Sequence, residues 1–383
     1  MGTLMDKLNA TNASKEQIRQ AIERKKVSVP ENTPLKDYPA KIDGIYPDAL
    51  FFSNAIYPKE LPKNLAEFVV SAHGNGIDMI KFGANRTFTK KDDDTVWHEC
   101  VNASNKTTLS FGNGWFVTMD TPSSGQQRVF RSKNGKSWEE SVIADIKLSN
   151  ASGLVFDGME FAFLTENGAK VCSSADGKNW EVKTTTGLST RSSLNLFFDD
   201  KTKKYYTYSS NSGVRVSVDK VNWEFPTANF PHETYSDILC VADGRMIYRI
   251  MKYTDKTTYS LYDLEKQTAL LNFSTDTIDN VDQVIYKNGV FSALHFVIYK
   301  EMKLSIPHDN FTNVFTTNNT FARYKKTTGK VVYSYDGVNY FDGLNFKIIN
   351  TKDEDVTIDV VRKLADIQTT ALQAAYEAGV NSI

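Results

Sequence analysis

Cysteine, proline and net charge are all scarce in this chain of 383 residues, which has 3 Cys, 10 Pro and a formal net charge of −1. Cys100, Cys172 and Cys240 form no C-x-x-C pair, so a disulfide framework is not expected. We expect the three thiols to be reduced and buried, because Cys172 and Cys240 sit in apolar strand sequence. The low proline content favours many short strands over a disordered chain.

Long apolar runs and an excess of charge of either sign are also missing. With a net charge of −1, no global basic field favours nucleic acid or an anionic membrane as a partner. No apolar segment approaches the roughly 18 residues that cross a bilayer. The first residues do not show the basic-then-apolar pattern of a secretion signal. We therefore expect synthesis and folding in a cytoplasm, without nucleic-acid binding or membrane insertion.

Sequence signatures of catalysis, nucleotide binding and metal binding are absent as well. The sequence contains no G-x-S-x-G, no G-x-x-x-x-G-K-S/T and no G-x-G-x-x-G. Asp92-Asp93-Asp94 lacks the glycine and the spaced glutamate of a calcium loop, so we interpret it as a solvated loop. We predict no catalytic residue, no metal and no cofactor. The histidines, which show no spacing typical of metal ligands, are His73, His98, His232, His295 and His308.

The chain is instead rich in aromatics, with 23 Phe and 18 Tyr, and it repeats the phrase Ser-x-Asp/Asn-Gly/Lys-x-x-Trp/Tyr four times. In this phrase the Asp or Asn accepts hydrogen bonds from nearby backbone N–H groups, and the Gly supplies a positive φ. The aromatic packs the turn against a neighbouring strand. The phrase therefore belongs in a hairpin turn. Its repeated positions are Asn134 with Trp138, Asp176 with Trp180, Asp219 with Trp223, and Asp336 with Tyr340.

The spacing of the phrases indicates a fold. Trp138, Trp180 and Trp223 follow one another at 42 and 43 residues, and a four-stranded propeller blade takes about 40–50 residues. Tyr340 follows Trp223 by 117 residues, which leaves room for about two degenerate repeats. We predict an all-β fold, a six- or seven-bladed β-propeller with an N-terminal helical adaptor and a C-terminal helix. A turn pair also marks each predicted blade: Asn75-Gly76, Asn113-Gly114, Asp157-Gly158, Asp199-Asp200, Asp243-Gly244, Asn288-Gly289 and Asn318-Asn319.

The two markers predict which face of the propeller carries function. In a blade with strands A to D, the A–B and C–D turns lie on one face, and the B–C and D–A loops lie on the other. The turn pairs fit A–B turns and the repeated phrase fits C–D turns, so the opposite face is free for function. Its loops are rich in Ser, Thr, Asn and Gln, as suits hydrogen bonding to sugars, although loops are polar in general. By loop position and side-chain type, the candidate ligand-binding residues are Gln127, Arg191, Asn211, His232 and Tyr253.

The repeated phrase resembles the Asp box, the Ser-x-Asp-x-Gly-x-x-Trp turn of sialidases and other β-propellers, with one spacer residue missing. A sialidase would need three arginines that hold the sugar carboxylate, a tyrosine nucleophile activated by a Glu, and an Asp as acid and base. The nearest match to that family's first arginine motif is Tyr248-Arg249-Ile250-Met251. It lacks the motif's proline and follows three of the four phrases, so we interpret it as part of a strand.

Three regions differ in character and set the predicted domains. Residues 1–64 hold a helix capped by Ser14 and Gln17, followed by an extended stretch with several prolines. Residues 65–345 hold the repeats. Residues 346–383 are typical of one amphipathic helix. This last helix docks on its own domain or associates with other chains, for example as a trimer, and the sequence leaves both open.

The stretch from Val29 to Ile42 reads V-P-x-x-T-P-L-x-x-Y-P-x-K-I. Together with the preceding helix it resembles the N-terminal segment of tail-fibre and baseplate-attached proteins of phages that infect Gram-positive bacteria. The resemblance implies a virion location, with this segment attaching the protein to other tail or baseplate proteins. The alternative is that the segment packs against the propeller itself, since a small amphipathic helix must bury its apolar face.

The resemblance also implies a non-enzymatic, receptor-binding role. The expected propeller is similar to the sugar-binding platform of staphylococcal phage receptor-binding proteins, which recognise wall teichoic acid. The expected partner is thus a host cell-wall polysaccharide or teichoic acid, although no ligand-binding residue can be matched. Two alternatives stay open: a structural baseplate component without a ligand, and a glycoside hydrolase of the Asp-box class. A carboxylate pair at the channel mouth would favour the enzyme, and a polar face poor in carboxylates would favour the binder.

Overall fold

A computed structural model divides the chain into two units, which are described separately: Ile56–Leu344, and Met1–Ala55 with Asn345–Ile383. In the second unit, the described residues form one antiparallel pair, β1 (Phe51–Ser53) with β28 (Lys347–Ile349). The helices predicted within 1–64 and 346–383 lie outside the described residues. The structure describes residues 51–53, 58, 60–66, 68–83, 86–92, 94–100, 103–104, 107–120, 126–144, 146, 152–188, 195–209, 213–226, 236–251, 257–275, 283–299, 302–305, 311–318, 320–334, 337–338, 340 and 347–349.

The unit Ile56–Leu344 is a seven-bladed β-propeller, which confirms the predicted fold and the higher of the two blade numbers. Each blade is an antiparallel sheet whose strands follow in sequence order. Blades 1 to 4 contain β2 (Val69–Gly74), β3 (Ile77–Phe82), β4 (Arg86–Lys91) and β5 (His98–Cys100); β6 (Ser110–Gly112), β7 (Trp115–Met119), β8 (Gln127–Ser132) and β9 (Glu139–Ile143); β10 (Ser152–Phe156), β11 (Phe161–Thr165), β12 (Lys170–Ser174) and β13 (Glu181–Thr184); and β14 (Phe197–Asp199), β15 (Lys204–Ser209) and β16 (Gly213–Ser217).

The remaining blades complete the ring. The first strands of successive blades lie side by side around it, and the first strand of blade 7 lies next to β2 of blade 1. A short 3-10 helix, Glu166–Gly168, follows β11 in the B–C loop of blade 3. Blades 5 to 7 contain β17 (Ser236–Ala242), β18 (Arg245–Met251), β19 (Thr257–Asp263) and β20 (Thr268–Thr275); β21 (Ile285–Lys287), β22 (Val290–Ser292), β23 (Phe296–Tyr299) and β24 (Met302–Ser305); and β25 (Asn313–Thr316), β26 (Phe321–Tyr324) and β27 (Val331–Ser334).

The core lies between neighbouring blades, which explains why the middle strands are almost continuously apolar. All five residues of β11 are buried. Phe161 and Phe163 pack with residues of blade 2, whereas Ala162 and Leu164 pack with residues of blade 4. Successive side chains of a strand point to opposite faces, so a sheet covered on both faces needs an apolar residue at every position.

The predicted turns lie where the two sequence markers place them. All seven turn pairs connect the first and second strands of a blade, and the repeated phrase follows the third strand in blades 2, 3, 4 and 7. Asn75, Asn113, Asp243 and Asn288 adopt positive φ in these A–B turns, a conformation that Asn and Asp tolerate better than most residues. The B–C and D–A loops therefore lie at the other end of the blades, as predicted.

The repeated turn has the local chemistry expected from its sequence. In blade 3, Asp176 Oδ1 accepts hydrogen bonds from the backbone N–H groups of Lys178 and Asn179, each at 2.8 Å. Ser174 Oγ accepts one from Gly177 N–H at 2.9 Å, and Trp180 Nε1–H donates to Gly177 O at 3.2 Å. Asn134 and Asp219 make the same backbone contacts in blades 2 and 4, whereas Asp336 lies outside the described residues.

The fourth position of this turn also contacts the preceding blade. Gly177 has φ +71, and a Cβ there would lie 2.7 Å from Val117 of blade 2. Blade 4 has Lys220 at this position, at φ +68. The Lys220 ammonium forms ion pairs with Asp157 and Glu160 of blade 3. A joint between two blades is thus made by close glycine packing in one case and by a buried lysine in the other.

The Asp176 turn gives a testable acid dependence. Desolvation raises the pKa of Asp176, but the backbone and side-chain donors of the turn outweigh it and lower the pKa to about 2. A depressed carboxyl pKa stabilises the fold above the unfolded value of about 3.9, and this stabilisation is lost as the pH falls towards 2. We expect Asp176→Asn, which imitates Asn134, to fold normally at pH 7 and to lose less stability than the wild type in urea unfolding between pH 4 and pH 2. An unchanged pH profile would contradict this role.

Residues before the first blade complete the last one. Glu60 forms an antiparallel bridge with Lys330, and Leu61 N–H donates to Gly329 O at 2.8 Å. Leu61 and Leu65 are 5% and 2% exposed. Residues 58–65 therefore act as the outer edge of blade 7. The compact unit Ile56–Leu344 includes these residues, which precede the predicted boundary at residue 65.

Tyrosine hydroxyls of blade 7 reinforce this closure. Tyr333 OH donates to Pro58 O at 2.6 Å and Tyr324 OH donates to Pro62 O at 2.6 Å. Trp97 of blade 1, which holds the position of the repeated tryptophan, donates from Nε1–H to Tyr333 OH at 3.2 Å. The two tyrosines join the N-terminal segment to blade 7, and Trp97 joins blade 7 to blade 1.

The three thiols are all free, as expected. Cys172 is fully buried, and burial raises the pKa of its thiol to about 12. Cys240 packs against the apolar cluster shared with blade 6, and burial raises the pKa of its thiol to about 12. Cys100 is only half-buried, so the predicted burial is wrong for this residue. The difference arises because Cys172 lies in the third strand of blade 3 between two neighbouring blades, whereas Cys100 lies on an outer strand.

Candidate functional site

The polar groups at the A–B end of the blades are used to join one blade to the next. Asn75 Nδ2 donates to Gly114 O and Lys133 O of blade 2, at 3.0 and 3.1 Å. Asn113 Nδ2 repeats this towards Met159 O and Ala175 O of blade 3, both at 2.8 Å. Each amide therefore bridges the A–B and C–D turns of the following blade.

Buried carboxylates continue this series of joints at the same end. Asp157 accepts hydrogen bonds from Tyr205 OH and Lys220 Nζ of blade 4. Asp199, 0% exposed, accepts from Gly244 N–H of blade 5 at 2.9 Å and from Thr202 N–H at 2.8 Å. These acids are satisfied by neighbouring donors, so their role is structural.

One cluster at this end has metal-ligand chemistry. Ligand atoms of His73, Asp78 and Asp92 lie within 4.8 Å of one another. Asp78 is already engaged, because His73 Nδ1 lies at 2.9 Å, Lys90 Nζ at 3.4 Å and the Asn318 N–H at 2.6 Å from its carboxylate oxygens. A second cation would have to displace the Lys90 ammonium, so the cluster is explained as a joint between blades 1 and 7.

Buried cations lie at the A–B end of the blades, where Lys90 is 2% exposed, as well as towards the B–C end. Lys81 Nζ donates to the carbonyl and the hydroxyl of Ser104, each at 2.8 Å. Desolvation lowers the pKa of Lys81 to about 8, and Asp120 opposes part of this shift. Asp120 also lies 3.3 Å from Arg128 Nη1. The buried basic residues at this end are Lys81 (1% exposed), Arg215 (8%), Arg249 (5%) and Arg323 (2%).

The arginines of this group have unequal partners. Arg249 Nη2 lies 3.2 Å from the Asp237 carboxylate, across the first pair of strands in blade 5. Arg323 Nη2 donates to Ala293 O of blade 6 at 3.1 Å, its guanidinium lies 4.4 Å from the ring centre of Tyr340, and its Nε has no partner. Among the described residues, no carboxylate pairs with Arg215 or Arg323. Among the described residues near this end, Lys81 and Arg249 therefore have an acidic neighbour, whereas Arg215 and Arg323 have none.

The candidate ligand-binding residues are placed only in part. Gln127 begins β8 at the B–C end of blade 2 but is 0% exposed, and its Nε2 donates to Asp120 O at 2.5 Å and Arg128 O at 3.0 Å. These hydrogen bonds connect the two ends of the B–C loop of blade 2, so Gln127 stabilises this loop. Arg191, Asn211, His232 and Tyr253 lie outside the described residues.

Sequence reasoning missed the buried cations, although a signal exists for them. Arg215 lies in Gly213-Val214-Arg215-Val216 and Arg323 lies in Phe321-Ala322-Arg323-Tyr324. A charged residue inside an otherwise apolar strand that is covered on both faces must be buried or at a cavity. The sequence alone did not single out these residues, because a strand with one solvent-exposed face commonly carries charged residues on that face.

Comparisons with known proteins are limited to the fold. No family model and no curated protein matches the sequence. YCF48 bound to a D1 peptide aligns over 75% of this chain and 96% of its own at 14% identity, with a TM-score of 0.51. The computationally designed protein Ika8 and Saccharomyces cerevisiae Sqt1 each align over 78% of this chain and 96% of their own at 12% identity, with TM-scores of 0.47. Such likenesses show the propeller fold alone.

Within the described residues, no helix is both long enough and apolar enough to span a membrane.

Proposed function

We propose that this protein is a non-enzymatic component of a phage virion, in the tail fibre or baseplate, whose propeller binds a host cell-wall glycopolymer. Residues 1–64 attach it to other tail or baseplate proteins, in line with the resemblance of the stretch Val29 to Ile42. The B–C and D–A loops of the propeller provide the binding face. The infected host is a Gram-positive bacterium, and the polymer is a wall polysaccharide or teichoic acid.

The observation that carries this choice of face is the contrast between the two ends of the blades. At the A–B end, Asp157 and Asp199 are satisfied by donors of the next blade. At the B–C end, Arg215 and Arg323 are buried without a carboxylate partner among the described residues. Unpaired positive charge beneath polar loops favours an anionic, hydroxyl-rich ligand such as a teichoic acid.

Binding at each site is expected to be weak, at about −5 kcal/mol or a dissociation constant of ~10⁻⁴ M, because loop hydrogen bonds to sugars compete with water. Many copies of the protein on one particle, facing a repeating polymer, convert such contacts into lasting adhesion. Sub-micromolar binding of a short wall fragment by one isolated propeller would contradict this mechanism.

The test is retention of the purified protein on Gram-positive cells and on isolated walls, with and without teichoic acid, while released sugar is assayed. We expect retention on walls that carry the polymer, a loss of retention after its removal, and no released sugar. Absence of both retention and release would favour a purely structural tail component. Release of sugar would favour a glycoside hydrolase and overturn the non-enzymatic proposal.

A further inference from the structure

Among the described residues, Arg215 is a cation of low exposure for which no polar partner is found. It lies in β16, is 8% exposed, and its Nε has no hydrogen-bond partner. Its guanidinium carbon lies 3.1 Å from the ring centre of Phe225. Every other described arginine has a carboxylate, a carbonyl or another polar group as its partner. A buried guanidinium N–H without an acceptor costs free energy, and an anion bound to Arg215 would offset this cost.

A second unsatisfied polar group lies beside it. Thr207 of β15 pairs directly with Arg215 in the antiparallel register, so both side chains point to the same face of blade 4. Thr207 is 0% exposed, and its Oγ1 has no hydrogen-bond partner. Directly opposite residues have Cβ atoms about 5 Å apart. Thr207 and Arg215 therefore start from neighbouring positions on this face, and the guanidinium of Arg215 extends over the Phe225 ring.

The two groups face the space between blades 3 and 4, near the middle of their strands. Tyr205, two residues before Thr207, points to the same side and packs with Leu164 and Val171 of blade 3. Arg215 follows the B–C loop 210–212 directly after Gly213 and Val214. Phe225, 50% exposed, covers the guanidinium and marks the side from which solvent reaches it.

The start of a D–A loop is held firmly near the same blade. Thr186 N–H donates to Val221 O at 2.9 Å, and Trp223 N–H donates to Thr186 O at 3.0 Å. Gly187 follows with φ +78, and a Cβ there would lie 1.9 Å from Trp223 O. Residues 186 and 187 therefore leave blade 3 tightly against the end of the repeated turn of blade 4.

We propose that Thr207 and Arg215 form a subsite for a single oxyanion, a phosphate or carboxylate group, at the B–C end between blades 3 and 4. The guanidinium supplies charge and parallel N–H donors, the hydroxyl supplies one more donor, and Phe225 holds the guanidinium plane. The assignment of an oxyanion site is independent of the proposed function. The further step, that this site holds the wall polymer, rests on the proposed function.

The test measures the thermal unfolding midpoint and the heat of binding of the full-length protein with inorganic phosphate, glycerol phosphate or acetate, at constant ionic strength set by chloride. We expect the wild type to be stabilised by phosphate or by acetate. Arg215→Met and Thr207→Val should bind the same anion at least roughly tenfold more weakly. Arg86→Gln, which removes an exposed guanidinium paired with Glu99, serves as the control and should bind like the wild type.

The stability of Arg215→Met without any anion gives an independent readout. Because the variant removes a buried charge that has no partner, its unfolding midpoint should equal or exceed that of the wild type. A large fall in the midpoint would mean that the guanidinium is satisfied within the protein, and this would overturn the assignment. Equal anion binding by wild type and Arg215→Met would place the ion elsewhere and overturn it as well.

Retention on walls separates this subsite from the proposed function. If the wild type binds phosphate at Arg215 but is not retained on walls, the subsite stands and the proposed function fails. If walls retain the wild type and Arg215→Met equally, the polymer is held elsewhere, and the assignment of this subsite to the polymer is overturned. Loss of both anion binding and wall retention in Arg215→Met supports the two together.

Discussion

Replacing Gly329 with alanine is expected to lower the free energy of unfolding by about 3 kcal/mol or more. Gly329 adopts φ +80, and a Cβ at this position would lie 2.2 Å from Leu61 O. Its own carbonyl accepts the Leu61 N–H at 2.8 Å. The substitution therefore strains the turn and displaces residues 58–65, which form the outer edge of blade 7. Urea unfolding monitored by tryptophan fluorescence measures the loss.

Gly114→Ala is the matched control for this prediction. Gly114 has a similar φ of +78, but a Cβ there would meet no atom within 4 Å. Its substitution should cost about 1 kcal/mol from backbone strain alone. The excess loss in Gly329→Ala reports the contact with Leu61. Equal losses in the two variants would mean that residues 58–65 do not close the ring.

Asp199→Ala should have the second largest effect, a loss of roughly 2–4 kcal/mol. Asp199 is 0% exposed and accepts hydrogen bonds from Thr202 N–H within blade 4 and from Gly244 N–H of blade 5. Alanine would leave both donors buried without an acceptor. Because one of them belongs to the next blade, amide hydrogen exchange should increase at the A–B turn of blade 5 as well as in blade 4.

The neighbouring residue provides the control. The Asp200 side chain is 85% exposed and pairs only with Lys203, whose side chain is 68% exposed. Exposed pairs of this kind contribute little, so Asp200→Ala should change stability by less than about 0.5 kcal/mol. A comparable loss in both variants would show that charge at this turn matters and that the buried hydrogen bonds do not.

Much of the propeller could be predicted from its turns because turn chemistry is local. The Asp176 carboxylate accepts hydrogen bonds from backbone N–H groups two and three positions further on, and the positive φ of Asn113 and Gly177 is a property of the turn itself. Because the turn recurs after 42 and 43 residues, which is the length of a propeller blade, the local turns together indicate the propeller fold. The A–B turns of blades 5 and 6 were found in the same way, although those blades lack the repeated phrase.

Closure of the ring could not be predicted in this way. Glu60 pairs with Lys330, which is far away in the sequence, and no turn motif in the sequence indicates this pairing. The segment before residue 65 has an extended, proline-containing sequence, which was compatible with an attachment segment as well as with an edge strand. Proline is tolerated at edges, so Pro58 and Pro62 accept tyrosine hydroxyls there without breaking a ladder.

The candidate site, like the closure of the ring, depends on contacts between distant residues that the sequence does not indicate. The ends of the blades at which the turns and the loops lie were predictable, because the A–B and C–D turns carry the sequence markers. The burial of individual side chains was not predictable. Gln127 is polar and close to a loop, but it is fully buried. Arg215 and Thr207 become noticeable only once the register places them side by side without partners. Which loops share an end of the blades is a matter of topology, whereas the burial of each side chain depends on packing between blades.

The most direct test of the account is hydrogen–deuterium exchange of the full-length protein with and without solubilised wall polymer. Binding at the B–C and D–A end predicts slower exchange in the peptides that contain residues 184–191, 208–213 and 226–235. The A–B turns at Asn113 and Asp199 should exchange at the same rate in both states. Protection confined to the A–B and C–D turns, or no protection at polymer concentrations that saturate retention on walls, would contradict the account.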